Sequence, residues 1–180
     1  VISQDERPQK LKVEKIPSLK PAFRENGTIT AASSSGNADG AAALVLMRES
    51  MAQQLGLQPI ARILGHARHS QAPEWFTTAP VGAIAKLYNK VGWKTEDVDL
   101  FEINEAFAAV PMAAMQEHKI PHAKVNIHGG ACALGHPIGA SGARIIVTLL
   151  GALRATGGKT GVASLCIGGG EGTAVAIKMV

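Results

Sequence analysis

Between Val125 and Arg144 the chain reads VNIHGGACALGHPIGASGAR, with five glycines, two histidines, a cysteine and a proline. Glycine loses the most backbone freedom on ordering, so a stretch this rich in it serves sharp turns or close backbone approach rather than burial of apolar surface. The run that follows, Ala143 to Ala155, carries Ile145, Ile146, Leu149, Leu150 and Leu153 and reads as a helix apolar on several sides, hence central and buried. A glycine loop feeding a helix start gathers unpaired N–H groups and the positive end of the helix dipole, which favours negative charge there. His136 stands inside that loop, and the ring of Pro137 pins the backbone beside it.

The rest of the chain alternates helical and extended patterns. Val1 to Asn26 is charged, carries Pro8, Pro17 and Pro21, and reads as an extended arm; a start at Val1 without Met reads as a processed product or a piece of something longer. Gly27 to Gly40 is small and polar. Ala41 to Met47, AAALVLM, is expected as a buried strand or a short buried helix, periodicity leaving both open. Met51 to Leu57 continues helically, Pro59 stops it, and Ile60 to Ala67 reads as a strand. Gln71 to Pro80 is a loop holding Trp75 and Phe76, and Val81 to Val91 has the spacing of an amphipathic helix. Thr95 to Asp97 caps a turn before a short strand, Val98 to Ile103. A helix is expected over Glu105 to His118 with Asn104 as its N-cap, although Pro111 inside it argues for a kink or a late start. Gly157 and Gly158 end the central helix. Gly161 to Cys166 and Thr173 to Val180 then bracket a glycine turn and read as an antiparallel pair. Helices alternating with strands, then a terminal hairpin, give an α/β domain with a mixed sheet.

Bulk properties narrow the function classes. The 180 residues suffice for one well-buried domain, or for one with an extra arm. The net charge of +4 is mild and its basic residues are scattered, which suits an anionic small molecule and gives no nucleic-acid stripe. No apolar run approaches membrane-spanning length, so no membrane partner is expected. Two cysteines build no disulfide framework, and a reducing compartment, the cytoplasm, is the expected location.

Four groups have chemical potential: Ser35 in its serine-rich turn, Asn104–Glu105, His136, and Cys166 with the glycines after it. A thiol with an ordinary pKa of about 8.5 can exchange a proton near neutrality when a neighbour helps. Backbone N–H groups in the turn after Cys166 can converge on a developing oxyanion, each such donor being worth about 3 kcal/mol of barrier. The bland readings stand beside these. A lone cysteine on an apolar strand is as readily a small buried hydrophobe, and the glycines and serines serve as plain turns. Cys132 reads as packing, and His66, His69, His118 and His122 as surface or strand-end histidines. His128, Cys132, His136 and Cys166 lack the close ligand spacing of a zinc site, so no metal is expected.

NEAFAA at Asn104 to Ala109, GHPIGASGAR at Gly135 to Arg144 and CIGGGEG at Cys166 to Gly172 together resemble the C-terminal signatures of the thiolases, in family order and with family-like separation. The resemblance implies a thiolase-like half, a mixed sheet between helix layers, within a five-layered α-β-α-β-α fold. Residues 1–34 would be an arm ending an inserted loop domain, and 35–180 the C-terminal domain. It further implies acyl transfer on coenzyme A by Claisen condensation or thiolytic cleavage. His136 would activate a nucleophilic cysteine and help bind the thioester oxygen, Cys166 would act as acid/base, and Asn104 would hold a water of the oxyanion hole. Gly168 would offer its N–H to the tetrahedral intermediate, Ser35 would bond the pantetheine arm, and Phe23 and Phe107 would line it. Coenzyme A thioesters are then substrates and no resident cofactor is expected.

The family's nucleophilic cysteine lies in a first half, and neither Cys132 nor Cys166 sits in its motif. The expectation is therefore that this chain alone is inactive, with a thiolase N-terminal half and a homodimer or tetramer as partners. Trp75-Phe76-Thr77 stands where many acetoacetyl-specific members carry Met-Gly, and His128 where many carry Asn. Competing readings are a non-catalytic acyl-CoA-binding or assembly subunit of the same fold, and an unrelated cysteine hydrolase using Cys166 and His136.

Overall fold

The structure is a computed structural model that describes residues 3–5, 8–9 and 11–180. The expected N-terminal arm falls partly outside the described residues. Within them a short 3-10 helix spans Val13–Ser18 and buries none of its residues.

The C-terminal hairpin sets the frame. Strands β3 (Thr160–Ile167) and β4 (Glu171–Met179) pair antiparallel from Thr160 opposite Lys178 to Ile167 opposite Glu171. Their turn closes on Gly170, whose φ of 98° lies where side chains are rarely tolerated, and a Cβ there would also collide with the Gln71 carbonyl. β1 (Ala61–Ser70) pairs antiparallel with the outer edge of β4, with a bulge between Ile63 and Gly65. β2 (Leu100–Ile103) pairs parallel with β3, giving a four-stranded mixed sheet of order β1-β4-β3-β2.

Both faces of the sheet are covered, as alternation along the strands requires. On one face Phe101, Ile103, Val162, Cys166, Ala174 and Ala176 pack with helix α2 (Ala79–Val91) and helix α3 (Ala109–His118). On the other, Leu100, Ala163 and Ile177 meet helix α5 (Ser141–Thr156), which follows the one-turn helix α4 (Ala131–Leu134). Ile145, Leu149 and Leu153, four residues apart on one stripe of α5, are essentially fully buried, each worth roughly 1.5–3 kcal/mol. α2 and α5 stop at Gly92 and Gly157, both left-handed.

Two expectations need correction. Residues 41–47 form neither strand nor helix, and Val45 and Leu46 are 86% and 70% exposed. An apolar run becomes an element only when its backbone and one face find partners, and the helix beside it, α1 (Glu49–Gln54), buries only Ala52. The helix expected from Glu105 begins instead at Ala109, and Asn104 is not its cap. Pro111 thereby falls in the first turn, where its missing N–H would have had no helical partner, so the late start accounts for the proline.

Candidate active site

Asn104 leaves the C-terminal end of β2, the strand end at which open α/β sheets place their ligands. Its backbone N–H donates to Ser164 O at 2.9 Å, continuing the parallel ladder one residue beyond β2. On the open edge of β2 the side chain of Asn126 stands in for a strand. Its Oδ1 accepts from Ile103 N and its Nδ2 donates to Ile103 O, both at 2.8 Å, and that Nδ2 also reaches Glu105 Oε1 at 3.0 Å. Asn126 holds a φ of 49°, a region that asparagine tolerates better than most residues. Glu105 Oε2 in turn accepts from Cys132 N at 3.0 Å, and a Cβ on Gly130 would collide with the Glu105 carboxyl. Glu105 is thus the clamp that ties the glycine loop to the end of β2.

The segment before residue 41 stitches the two loops together. Ala108 N donates to Ser33 O, Ser35 N and Oγ both donate to Ala106 O, and His136 N donates to Gly36 O at 2.8 Å. These bonds carry the imidazole to the buried carboxamide: Asn104 Nδ2 lies 3.2 Å from His136 Nε2.

Proton positions along this contact follow from donor chemistry. Arg144 Nη2 donates to Asn104 Oδ1 at 3.1 Å, and a guanidinium has no acceptor, so Oδ1 faces Arg144 and the NH₂ faces His136. His136 Nε2 must then accept, which leaves its proton on Nδ1. That proton is taken by Ser141 Oγ at 2.6 Å, and Ser141 passes its own to Pro137 O at 3.0 Å. Burial, then the Arg144 charge, holds the imidazole below its usual pKa, because both disfavour its charged form.

Cys166 is the penultimate residue of β3, two residues past Ser164, at the same end of the sheet that delivers Asn104. Its side chain belongs to the cluster against which Ala106 and Phe107 pack, and burial pushes its thiol pKa up. Gly168 follows in the exposed turn, with open space where a Cβ would be. Phe107 meets Phe23 edge-on at 5.6 Å and Phe76 at 6.3 Å between ring centres. Asn104 and His136 therefore meet directly, Cys166 lies one strand over, and Ser35, Phe107 and Phe23 join through the NEAF loop. A separate cleft of about 480 Å³, lined by His69, Gln71, Thr78 and Glu117 among others, does not include them. Among the described residues no three His, Cys, Asp or Glu side chains gather as a metal set.

The family model of the thiolase C-terminal domain matches residues 57–179. The chain belongs to the thiolase family. The model of the thiolase N-terminal domain matches residues 1–50. A probable acetyl-CoA acetyltransferase of Dictyostelium discoideum is 51% identical over 98% of this chain and 43% of its own length. Acetyl-CoA acetyltransferase 1 of Arabidopsis thaliana is 48% identical over 100% of this chain and 44% of its own. The crystal structure of the Bacillus anthracis acetyl-CoA acetyltransferase superposes with a TM-score of 0.94 at 48% identity, covering 100% of this chain and 46% of that one. This chain thus spans less than half the length of the thiolases it matches.

The α/β thiolase fold expected from the sequence is the fold observed. Sequence reasoning missed three residues that build the site, Asn126 as edge strand and Ser141 and Arg144 at the two ends of the hydrogen-bond chain, and named Glu105 without its task as clamp. The signal for Asn126 was present, an asparagine shortly before paired glycines, the composition of a left-handed turn. Two of the histidines expected at the surface or at strand ends have partners: His118 Nε2 lies 2.9 Å from Val81 O with its ring edge-on to Tyr88, and His69, near the end of β1, has Nε2 3.1 Å from Gln71 Oε1. No helix among the described residues is long and apolar enough to cross a membrane.

Proposed function

We propose that this chain is the C-terminal part of a coenzyme A-dependent acyltransferase, which joins two acyl units by a Claisen-type condensation or cleaves a 3-ketoacyl thioester by the reverse. The observation that carries the reading is the directed bond between Asn104 and His136, which leaves Nε2 as a fixed proton acceptor beside a carboxamide N–H. A binder without chemistry has no use for an imidazole held in one tautomer.

In this reading a cysteine of the thiolase N-terminal half gives its proton to His136 Nε2 and attacks the thioester carbon, and the coenzyme A thiolate leaves with the proton of Cys166. Cys166, as thiolate, then takes the α-proton of a second acetyl-CoA, and the electron pair moves onto the thioester oxygen. His136 and a water on Asn104 meet that charge. The α-carbon attacks the acyl-enzyme carbonyl, the Gly168 N–H supports the tetrahedral oxyanion, and the cysteine thiolate is released. Run backwards, Cys166 returns a proton to the enolate carbon, and the burial that raises its thiol pKa favours the proton-bearing form this requires. Coenzyme A thioesters serve as substrates, and Ser35, Phe23 and Phe107 would line the pantetheine arm.

Neither cysteine of this chain is a ready nucleophile. Cys132 Sγ leans on Glu105 O at 3.9 Å, and Cys166 is buried with its thiol pKa raised. The 180 residues by themselves are therefore expected to be inactive, and to gain turnover when a cysteine-bearing thiolase N-terminal half is supplied. Acetoacetyl-CoA cleavage measured with and without that half tests this; robust cleavage by the chain alone would overturn it. Exposed Val45, Leu46, Ile60 and Ile63 support the further proposal that the chain associates, with that half and with copies of itself.

A further inference from the structure

Arg144 lies in the first turn of α5, half-buried against the end of β2. One N–H of Nη2 meets Asn104, while Nε and Nη1 are buried without a hydrogen-bond partner in the protein. Glu102 sits two residues before Asn104 on the same strand, hence on the same face. It is 2% exposed, and its Oε1 is likewise buried and unpartnered. The two opposite charges act on each other in this interior. Burying a cation and a carboxyl costs free energy that neutral residues of similar shape would avoid. Capping one amide oxygen does not need a guanidinium; a neutral hydroxyl would serve.

What a guanidinium adds is direction. A carboxamide can be turned end for end with almost no change in shape, exchanging its oxygen for its NH₂. Only a partner that donates and never accepts fixes the choice. We propose that Arg144 is a positioning residue: by holding Asn104 with Oδ1 inward, it presents the NH₂ to His136 and keeps the imidazole in the Nδ1–H tautomer, with the Nε2 lone pair facing the site. The geometric part stands alone; its consequence for catalysis rests on the acyl-transfer reading.

The test is nitrogen NMR on the full chain labelled with ¹⁵N-histidine, the His136 signals being assigned by their loss in His136→Gln. Wild type should show a protonated, pyrrole-type Nδ1 and an unprotonated, pyridine-type Nε2. Arg144→Met should raise the Nε2–H form about tenfold, the scale of one hydrogen bond of ordinary net strength; Arg144→Lys, which still only donates, should hold the wild-type tautomer. If Arg144→Met does not fold, Arg144→Gln supplies the same information, because its side-chain amide accepts as well as donates and so lets Asn104 turn. Unchanged His136 signals in the folded Arg144→Met or Arg144→Gln would overturn the proposal. Acetyl-CoA turnover of each variant, supplied with the N-terminal half, separates the two claims. Turnover lost in Arg144→Met with the tautomer intact defeats the positioning role alone, and a shifted tautomer with turnover intact defeats the acyl-transfer reading alone.

Discussion

Two stretches of nearly equal apolar character end in opposite states. VASLCI, in β3, is buried from Val162 to Ser164 and at Cys166, with only its last residue, Ile167, exposed, whereas AAALVLM at 41–47 is irregular, with Val45, Leu46 and Met47 exposed. Composition does not separate them; partners do. β3 lies between β2 and β4, so both edges of its backbone are paired, and helices cover both of its faces. Residues 41–47 join no ladder among the described residues. Substitutions should therefore matter greatly at the sheet end where loops are tied together and little in the bare stretch.

The largest effect is expected at the centre of the tied region. His136→Ala, with the N-terminal half present, should lower acyl transfer by roughly 10²–10⁴-fold, the usual range for a general acid/base; a loss below tenfold would mean the chemistry lies elsewhere. Next comes Glu102, which burial raises from an ordinary 4.5 to about 7, with Arg144 pulling down and Glu105 pushing up more weakly. A raised carboxyl gives stability that is full below the unfolded value and fades as pH climbs through the folded one. Between pH 4.5 and 7 this group should remove about 3 kcal/mol at most, and Glu102→Gln should flatten that window. Parallel melting curves from pH 4.5 to 7.5 for both proteins decide; identical slopes would defeat it. Gly130→Ala, which drives a methyl into the Glu105 carboxyl, should cost about 1–3 kcal/mol in denaturant unfolding. Smallest is Leu46→Ser, which should stay within about 0.5 kcal/mol yet weaken the chain's self-association. Light scattering on the wild-type chain checks the premise, and a clean monomer would blunt the contrast.

The same contrast explains what the sequence could reveal. The hairpin, the amphipathic α2 and the buried α5 were legible because periodicity and glycine stops are local signals. The 41–47 run was misread because burial depends on partners distant along the chain. Asn104, His136 and Cys166 stand out by residue type and setting, and the motif resemblance supplies their roles, while the surrounding pattern makes Asn104 look like a helix cap. Its side-chain oxygen is instead met by Arg144, forty residues later, and no local pattern encodes that meeting. Glu105 was paired with Asn104 in the reading without a task of its own, since a clamp is visible only once Asn126, Gly130 and Cys132 are seen around it.

The central claim is that the end of this sheet moves a proton at the α-carbon of an acyl thioester. It is tested most directly by following deuterium exchange at the acetyl methyl of acetyl-CoA, with the N-terminal half supplied, in wild type and Cys166→Ala. Exchange falling to background in the variant, its fold intact by circular dichroism, is the result expected. Exchange continuing at the wild-type rate would contradict the account.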